Sequence, residues 1–166
     1  ACPTCGELPQ PWHCPYCGET RLRAPREGVG RTAEELGKAF GQVKVVQSWS
    51  GRVVAAVDAA PQLVLATPGA EPAAASGYAA AVLLDADVLL ARHDLRAAEE
   101  ALRRWLAATA LVRPAAEGGT VVIVGDPAAR AIQALVRHDP VGFATRELAE
   151  RAETRFPPAA RLVTVE

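Results

Sequence analysis

The sequence contains no methionine, and among its basic residues only Lys38 and Lys44 are lysines, the rest being arginine. It is also poor in aromatic residues, at 5%, and carries almost no net charge, formally −1 with a pI near 6.4. Near-neutrality excludes a strongly basic nucleic-acid glove, so any phosphate contact has to come from a local patch. No apolar run reaches the roughly 18 residues of a membrane span, since "AAAVLLDADVLLA" is too short and is broken by Asp85 and Asp87. A secretory leader with a basic start and an apolar core is missing too. Cysteine is absent after Cys17. That confinement argues against a disulfide framework and for a metal site in a reducing cytosol. Arginine, alanine, glycine, proline and valine are favoured throughout, which suggests a GC-rich genome. The first residue is Ala1, directly against a cysteine, so the chain reads as a piece of a longer protein.

What is present begins with that cysteine cluster, "ACPTCGELPQPWHCPYCGETRLR". Cys2, Cys5, Cys14 and Cys17 form two Cys-x-x-Cys turns, each able to give two thiolates to one tetrahedral zinc. Gly6 and Gly18 follow the second cysteine of each turn, where a left-handed residue lets amides face the sulfurs. Four thiolates leave no open position, so such a zinc is structural. The spacer Gly6–His13 is shorter than the roughly 15–20 residues of a common zinc ribbon. His13 could compete as a ligand, and its plainer reading is an exposed hairpin residue. Arg21, Arg23, Arg26 and Arg31 follow as a cluster. They form either a phosphate-contacting stripe or, more plainly, a solvated face in an arginine-rich composition.

Beyond the cluster, Thr32 and Glu35 make a capping box for a helix carrying Leu36 and Phe40 on one face. "VKVVQS" and "QLVLATPG" read as strands, and "SGRVVAAVDAAP" as either helix turn or strand. "AAAVLLDAD" is a third strand and "PGAEPAAASGYAAA" a surface loop. Asp94 is expected to cap a long helix with Leu95, Ala98, Leu102, Trp105, Leu106 and Thr109 inward. On its wet side stand Glu99–Arg103 and Glu100–Arg104 pairs. "TVVIVG" is a strand, and Asp126 with Pro127 at the first position opens another helix. A further helix over "DPVGFATRELAERAETRF" is interrupted near Pro140 and Gly142, and a last strand follows "FPP". Continuous apolar strands alternating with helices predict an α/β domain, its parallel sheet covered on both faces.

No phosphate loop appears. "RTAEELGKAF" has Thr32 for the first glycine and Ala39 for the final hydroxyl, and lies within a helix. Asp85 and Asp87 end a strand, where paired carboxylates can hold Mg²⁺ or move protons. Two apart in an extended chain, they would share a face; strand termination and helix capping are the plainer roles. His93 and His138 read as surface histidines, and Trp12, Trp49 and Trp105 as packing residues.

Five motifs in order, "CPTCG…CPYCG", "GVGRTAEEL", "LLDAD", "DLRAAEE" and "ETRFPP", resemble the primosomal protein N′ (PriA) family of replication-restart helicases. Details such as "ATPGAEP" and "DLRAAEEALRRW" look like its high-GC, actinobacterial branch. The resemblance implies a RecA-like second helicase lobe, three-layered, over residues 21–156. A zinc-knuckle module over 1–20 would precede it, and the start of a C-terminal domain would occupy 157–166. It also implies binding of branched or stalled forks and single-strand-containing DNA, and reloading of the replicative helicase. Primosome proteins, the helicase or its loader, and single-strand-binding protein would be the partners, in a cytoplasmic, nucleoid-associated setting. The family holds two zinc ions through four Cys-x-x-Cys pairs. Cys2/Cys5 and Cys14/Cys17 match the last two, which serve different ions, so the chain would carry two half sites; the short spacer could also close them around one zinc.

The departures from the family bear on the motor. Where its Gln-Val-Ala-Gly-Arg-Ala-Gly-Arg segment supplies arginine fingers, this sequence has "AATALVRP". Leu111 and Pro114 take the two finger positions, and Arg113 stands one residue off. Of the family's Gly-Thr-Gln motif only Thr67 is kept. A finger contributes about 10³–10⁵ in rate, so the resemblance implies a degenerate ATP site and no useful turnover. The alternative is a zinc-ribbon α/β enzyme that binds a nucleotide with Asp85, Asp87 and the loop Pro68–Ser76.

Overall fold

The computed structural model describes His13, residues 15–18, Thr20 and residues 29–163; in the first helix the side chains of residues 29–31 lie outside that description. The chain order is α1 (Val29–Ala39), β1 (Lys44–Ser48), β2 (Ala56–Val57), β3 (Gln62–Ala66), β4 (Ala73–Ala74), β5 (Ala80–Leu83), α2 (Ala86–Leu90), α3 (Ala97–Thr109), β6 (Thr120–Ile123), α4 (Arg130–Arg137) and α5 (Pro140–Thr154). Strands pair in parallel throughout: β1 with β3, β2 with β4, and β5 with β6. A mixed α/β fold with parallel pairing is what the sequence predicts of a RecA-like lobe.

The β1–β3 register sets Val46 beside Val64, and α1 packs on both strands. The core proper lies further along the chain. Ala101, Leu102 and Trp105 of α3 meet Ala131, Ile132, Ala134 and Leu135 of α4, with Ala86 and Phe143, and Leu83 and Ile123 pack against this cluster from the strands. Helices thus cover one face of β5–β6. The cover expected on its second face does not come from the described residues, for Val82, Leu84, Val122 and Val124 are about half exposed there. No helix among the described residues is long and apolar enough to cross a membrane.

Several helix boundaries differ from expectation for local reasons. Helix α1 begins at Val29, which puts Thr32 inside it rather than at its cap. Phe40 falls just past the helix and is largely exposed. Asp94 accepts from the Arg96 amide, two residues on, in an Asx turn, so α3 starts at Ala97 and Leu95 stays outside the core. Asp126 does the same with the Ala128 amide, and α4 starts at Arg130 rather than at Pro127. Pro140 opens α5 instead of interrupting it. Asp139 is the N-cap, accepting from the Gly142 amide at 2.7 Å. A Cβ on Gly142 would collide with that Asp139 carboxylate, which explains the glycine. After Phe156 the described chain runs through turns to Val163 without the expected strand.

Candidate functional site

The parallel strands β5 and β6 end together, and the acidic residues gather there. Asp85 does not continue the strand. It takes a left-handed conformation (φ 55°) at the start of α2, and Asp87 sits in the first turn of that helix. The two carboxylates therefore do not share one face of an extended chain, which corrects the sequence expectation. Asp87 Oδ1 accepts from the Asp126 amide at 2.9 Å, tying α2 to the segment after β6. Gly125 lies under this tie, where a Cβ would press on Ala86, Ile132 and Asp87. Asp87 is thus spent on a backbone amide, and among the described residues no group of three or more His, Cys, Asp or Glu is placed to hold a metal ion.

Thr67 follows β3, with its amide donating to the Ser48 carbonyl at 3.0 Å. Ser48 is fully buried; its hydroxyl donates to the Ala70 carbonyl at 2.6 Å and accepts from the Val54 amide at 3.0 Å. In the loop Pro68–Ser76, Ala70 and Pro72 are buried, and the Gly69 amide donates to the Glu71 carboxylate. A carboxylate from the chain itself thus takes an amide that a nucleotide phosphate would need. Tyr78 closes the loop, donating from its hydroxyl to the Pro72 carbonyl at 2.8 Å. Burial, helped by the nearby Glu71, raises its pKa. None of this assembles Asp85, Asp87 and the loop into one nucleotide site.

The segment Leu111–Pro114 has a different setting. Its backbone is clamped to Tyr78, whose amide donates to the Leu111 carbonyl and whose carbonyl accepts from the Arg113 amide. Gly77 and Gly119 press on Arg113 from two sides. A Cβ at Gly119 would fall 1.8 Å from the Arg113 carbonyl oxygen, so this position admits glycine alone. An open cleft of about 800 Å³ runs between the ends of α3 and α4 and the start of β6. Thr109, Val112, Arg113, Val121, Val136 and His138 are among its walls, and among the described residues no carboxylate lines it. Arg113 and Pro114 lie in this cleft, whereas Leu111 is not part of the lining. Arg113 Nε is buried, with no hydrogen-bond acceptor among the described residues.

Of the cysteine cluster, Cys17 lies among the described residues. It is exposed at the end of a turn over Pro15–Cys17, and Gly18 after it is left-handed (φ 69°), a conformation open to glycine at little cost. Cys2, Cys5 and Cys14 fall outside the described residues, as do Arg21, Arg23 and Arg26; Arg31 belongs to α1, and nothing is described of its side chain. His13 is exposed.

Sequence reading missed the residues that set these surfaces. Ser48 gave no signal beyond the Ser-Gly turn just after it. Arg151 was not singled out. It is buried, donates to the carbonyls of Leu95 and Pro157, and pairs with Glu99 at 2.5 Å. Glu99 consequently faces Arg96 and Arg151, and the expected Glu99–Arg103 pair does not form, while Glu100–Arg104 does, at 2.7 Å.

No family model matches the chain. Among curated proteins, the probable replication restart protein PriA of Mycobacterium tuberculosis and that of Mycobacterium bovis are each 48% identical over 165 residues. The protein of the same name from Mycobacterium leprae is 47% identical over 165 residues. Each match takes in 99% of this chain and 25% of the relative, so the chain spans about a quarter of the length of these proteins. Over nearly its whole length, then, the chain is similar to a quarter-length stretch of the PriA family of replication restart proteins, as its five motifs imply.

Proposed function

We propose that this chain is part of a replication-restart protein that binds branched or stalled DNA forks and helps reload the replicative helicase, without ATP-driven unwinding of its own. The observation that carries the reading is the 48% identity across 99% of the chain to the mycobacterial relatives. The loss of the motor follows from the finger positions, where Leu111 and Pro114 stand and Arg113 is held by Tyr78, Gly77 and Gly119. In this reading Cys2, Cys5, Cys14 and Cys17 hold structural zinc. Left-handed Gly18 fits that role; the metal's part is to fold the knuckles, and it takes part in no reaction. Arg21, Arg23, Arg26 and Arg31 face the fork's phosphates. Primosome proteins, the replicative helicase or its loader and single-strand-binding protein are the partners, at the nucleoid.

The test is fluorescence anisotropy of labelled forked and plain duplex DNA against zinc-loaded protein, over a range of salt. Fork preference that weakens steeply with salt is expected, with a slope reduced by about one for each phosphate-contacting arginine removed. Equal affinity for fork and duplex, or ATP hydrolysis stimulated by forks, would overturn the reading.

A further inference from the structure

Buried Arg151 donates to two carbonyls at once, Leu95 at 2.7 Å and Pro157 at 3.1 Å. Two largely exposed segments, remote in sequence, are thereby drawn to one place: residues 91–96 ahead of α3 and 155–161 after α5. Each is folded back on itself. The Asp94 amide donates to the Arg92 carbonyl at 2.8 Å, and the Ala160 amide to the Phe156 carbonyl at 3.1 Å. Arg92, Arg155 and Arg161 are exposed on these segments, and none of them is paired with a carboxylate among the described residues. The acids close by are Asp94, which accepts from the Arg96 amide, Glu99, which is held by Arg96 and Arg151, and Glu153. Arg155 closes α5 in the left-handed conformation (φ 58°), where glycine is the low-cost residue. An arginine held there against that cost points to a use for its side chain. Phe156 follows it, an aromatic ring 41% exposed.

We propose that these two segments form a contact surface for single-stranded DNA, with Arg92, Arg155 and Arg161 on its phosphates and the Phe156 ring against an unstacked base. A chain with a formal net charge of −1 holds a polyanion only through a local surplus of cations, and this is one. Phosphates are met by fixed charges that water can reach, which is the setting of these three arginines. The exposed ring decides between one strand and two. Bases in a duplex stack on one another, whereas an unpaired base has a free face for a phenyl group. The surface is made of residues other than Arg21, Arg23, Arg26 and Arg31, and the inference rests on the DNA-binding reading above.

Fluorescence anisotropy tests it, with a labelled oligothymidine and a blunt duplex of equal length titrated over a range of salt with the metal-replete, full-length protein that contains this chain. Combining Arg92→Gln, Arg155→Gly and Arg161→Gln should lower the salt slope for the single strand by about 2, at about 0.7 for each phosphate contact. The corresponding lysine substitutions should keep most of that slope, since the charge remains. Phe156→Leu should weaken single-strand binding about tenfold, leave the slope unchanged and spare the duplex. Thermal melts of each variant check that it is folded. A wild type that binds neither DNA would overturn the DNA-binding reading and this inference with it. A wild type that binds, with its slope unchanged in the triple variant, would overturn this inference alone. So would equal losses on single strand and duplex from Phe156→Leu.

Discussion

The two halves of this chain share a grammar of parallel strands beside helices but are held together differently. From β5 onward, α3 and α4 interlock through Leu102, Trp105, Ile132 and Leu135 in one apolar cluster. From α1 to Tyr78, the buried apolar side chains among the described residues are Ala33, Ala70 and Pro72, and every residue of β3 is only half-buried. Polar geometry does the corresponding work there, with buried Ser48 stitching β1 to Ala70 and Val54. Packing in the later half resists removal of volume. The earlier half depends on a few directional bonds and, like other regions with few buried apolar contacts, should open more readily.

The sharpest way to break that contrast is to remove volume from each side. Trp105→Ala should cost about 3–5 kcal/mol in denaturant unfolding, against about 1 kcal/mol for Val64→Ala on half-buried β3. Equal costs would mean that β1–β3 has a core not visible in its exposure. Next comes Arg151→Ala, which leaves Glu99 with Arg96 as its remaining named arginine partner, takes the guanidinium from the Leu95 and Pro157 carbonyls, and should cost about 2–4 kcal/mol. Arg151→Lys should recover little of it, because a single ammonium cannot span the same three acceptors.

Ser48→Ala probes the polar half and should cost about 1–3 kcal/mol, taking the donor from the buried Ala70 carbonyl and the acceptor from the part-buried Val54 amide. Faster hydrogen exchange at Thr67 and Ala70, with α4 unaffected, would confine the damage to that half. The smallest effect concerns Glu100, whose pKa falls from an ordinary 4.5 to about 2 through hydrogen bonds from Arg103 and Arg104. A depressed carboxylate contributes above its unfolded pKa, and its contribution is lost as pH falls through the folded one. The difference in melting temperature between the wild type and Glu100→Gln should therefore be full above pH 4.5 and gone by about pH 2. A difference that persists at pH 2 would point to helix propensity rather than charge.

Much of the fold was legible because it depends on patterns that need no partner. Apolar runs gave β1, β3, β5 and β6, and helical spacing placed Leu102 and Trp105 in the core. What misled were residues with two local uses. Asp94 and Asp126 look like caps at the first helical residue, but as Asx turns they hold the chain two residues back. Pro140 breaks a helix in its middle and favours one at its start, and Asp139 decides between the two. Asp85 and Asp87 looked like a strand-end pair because nothing local announces the left-handed turn at Asp85. Ser48 and Arg151 were invisible for a further reason: their partners are remote in sequence, and a lone serine or arginine carries no pattern.

The hydrogen bond from Arg151 to the Leu95 carbonyl spans 56 residues. A ribosome working at about 5–20 residues per second makes the acceptor between about 3 and 11 s before the donor. During that interval the start of α3 has left the tunnel with Arg96 as its neighbour for Glu99. The carboxylate is held by a near companion first and gains a second, on its other oxygen, once α5 arrives. Vectorial synthesis thus gives this helix start an early anchor and then a later, more buried one.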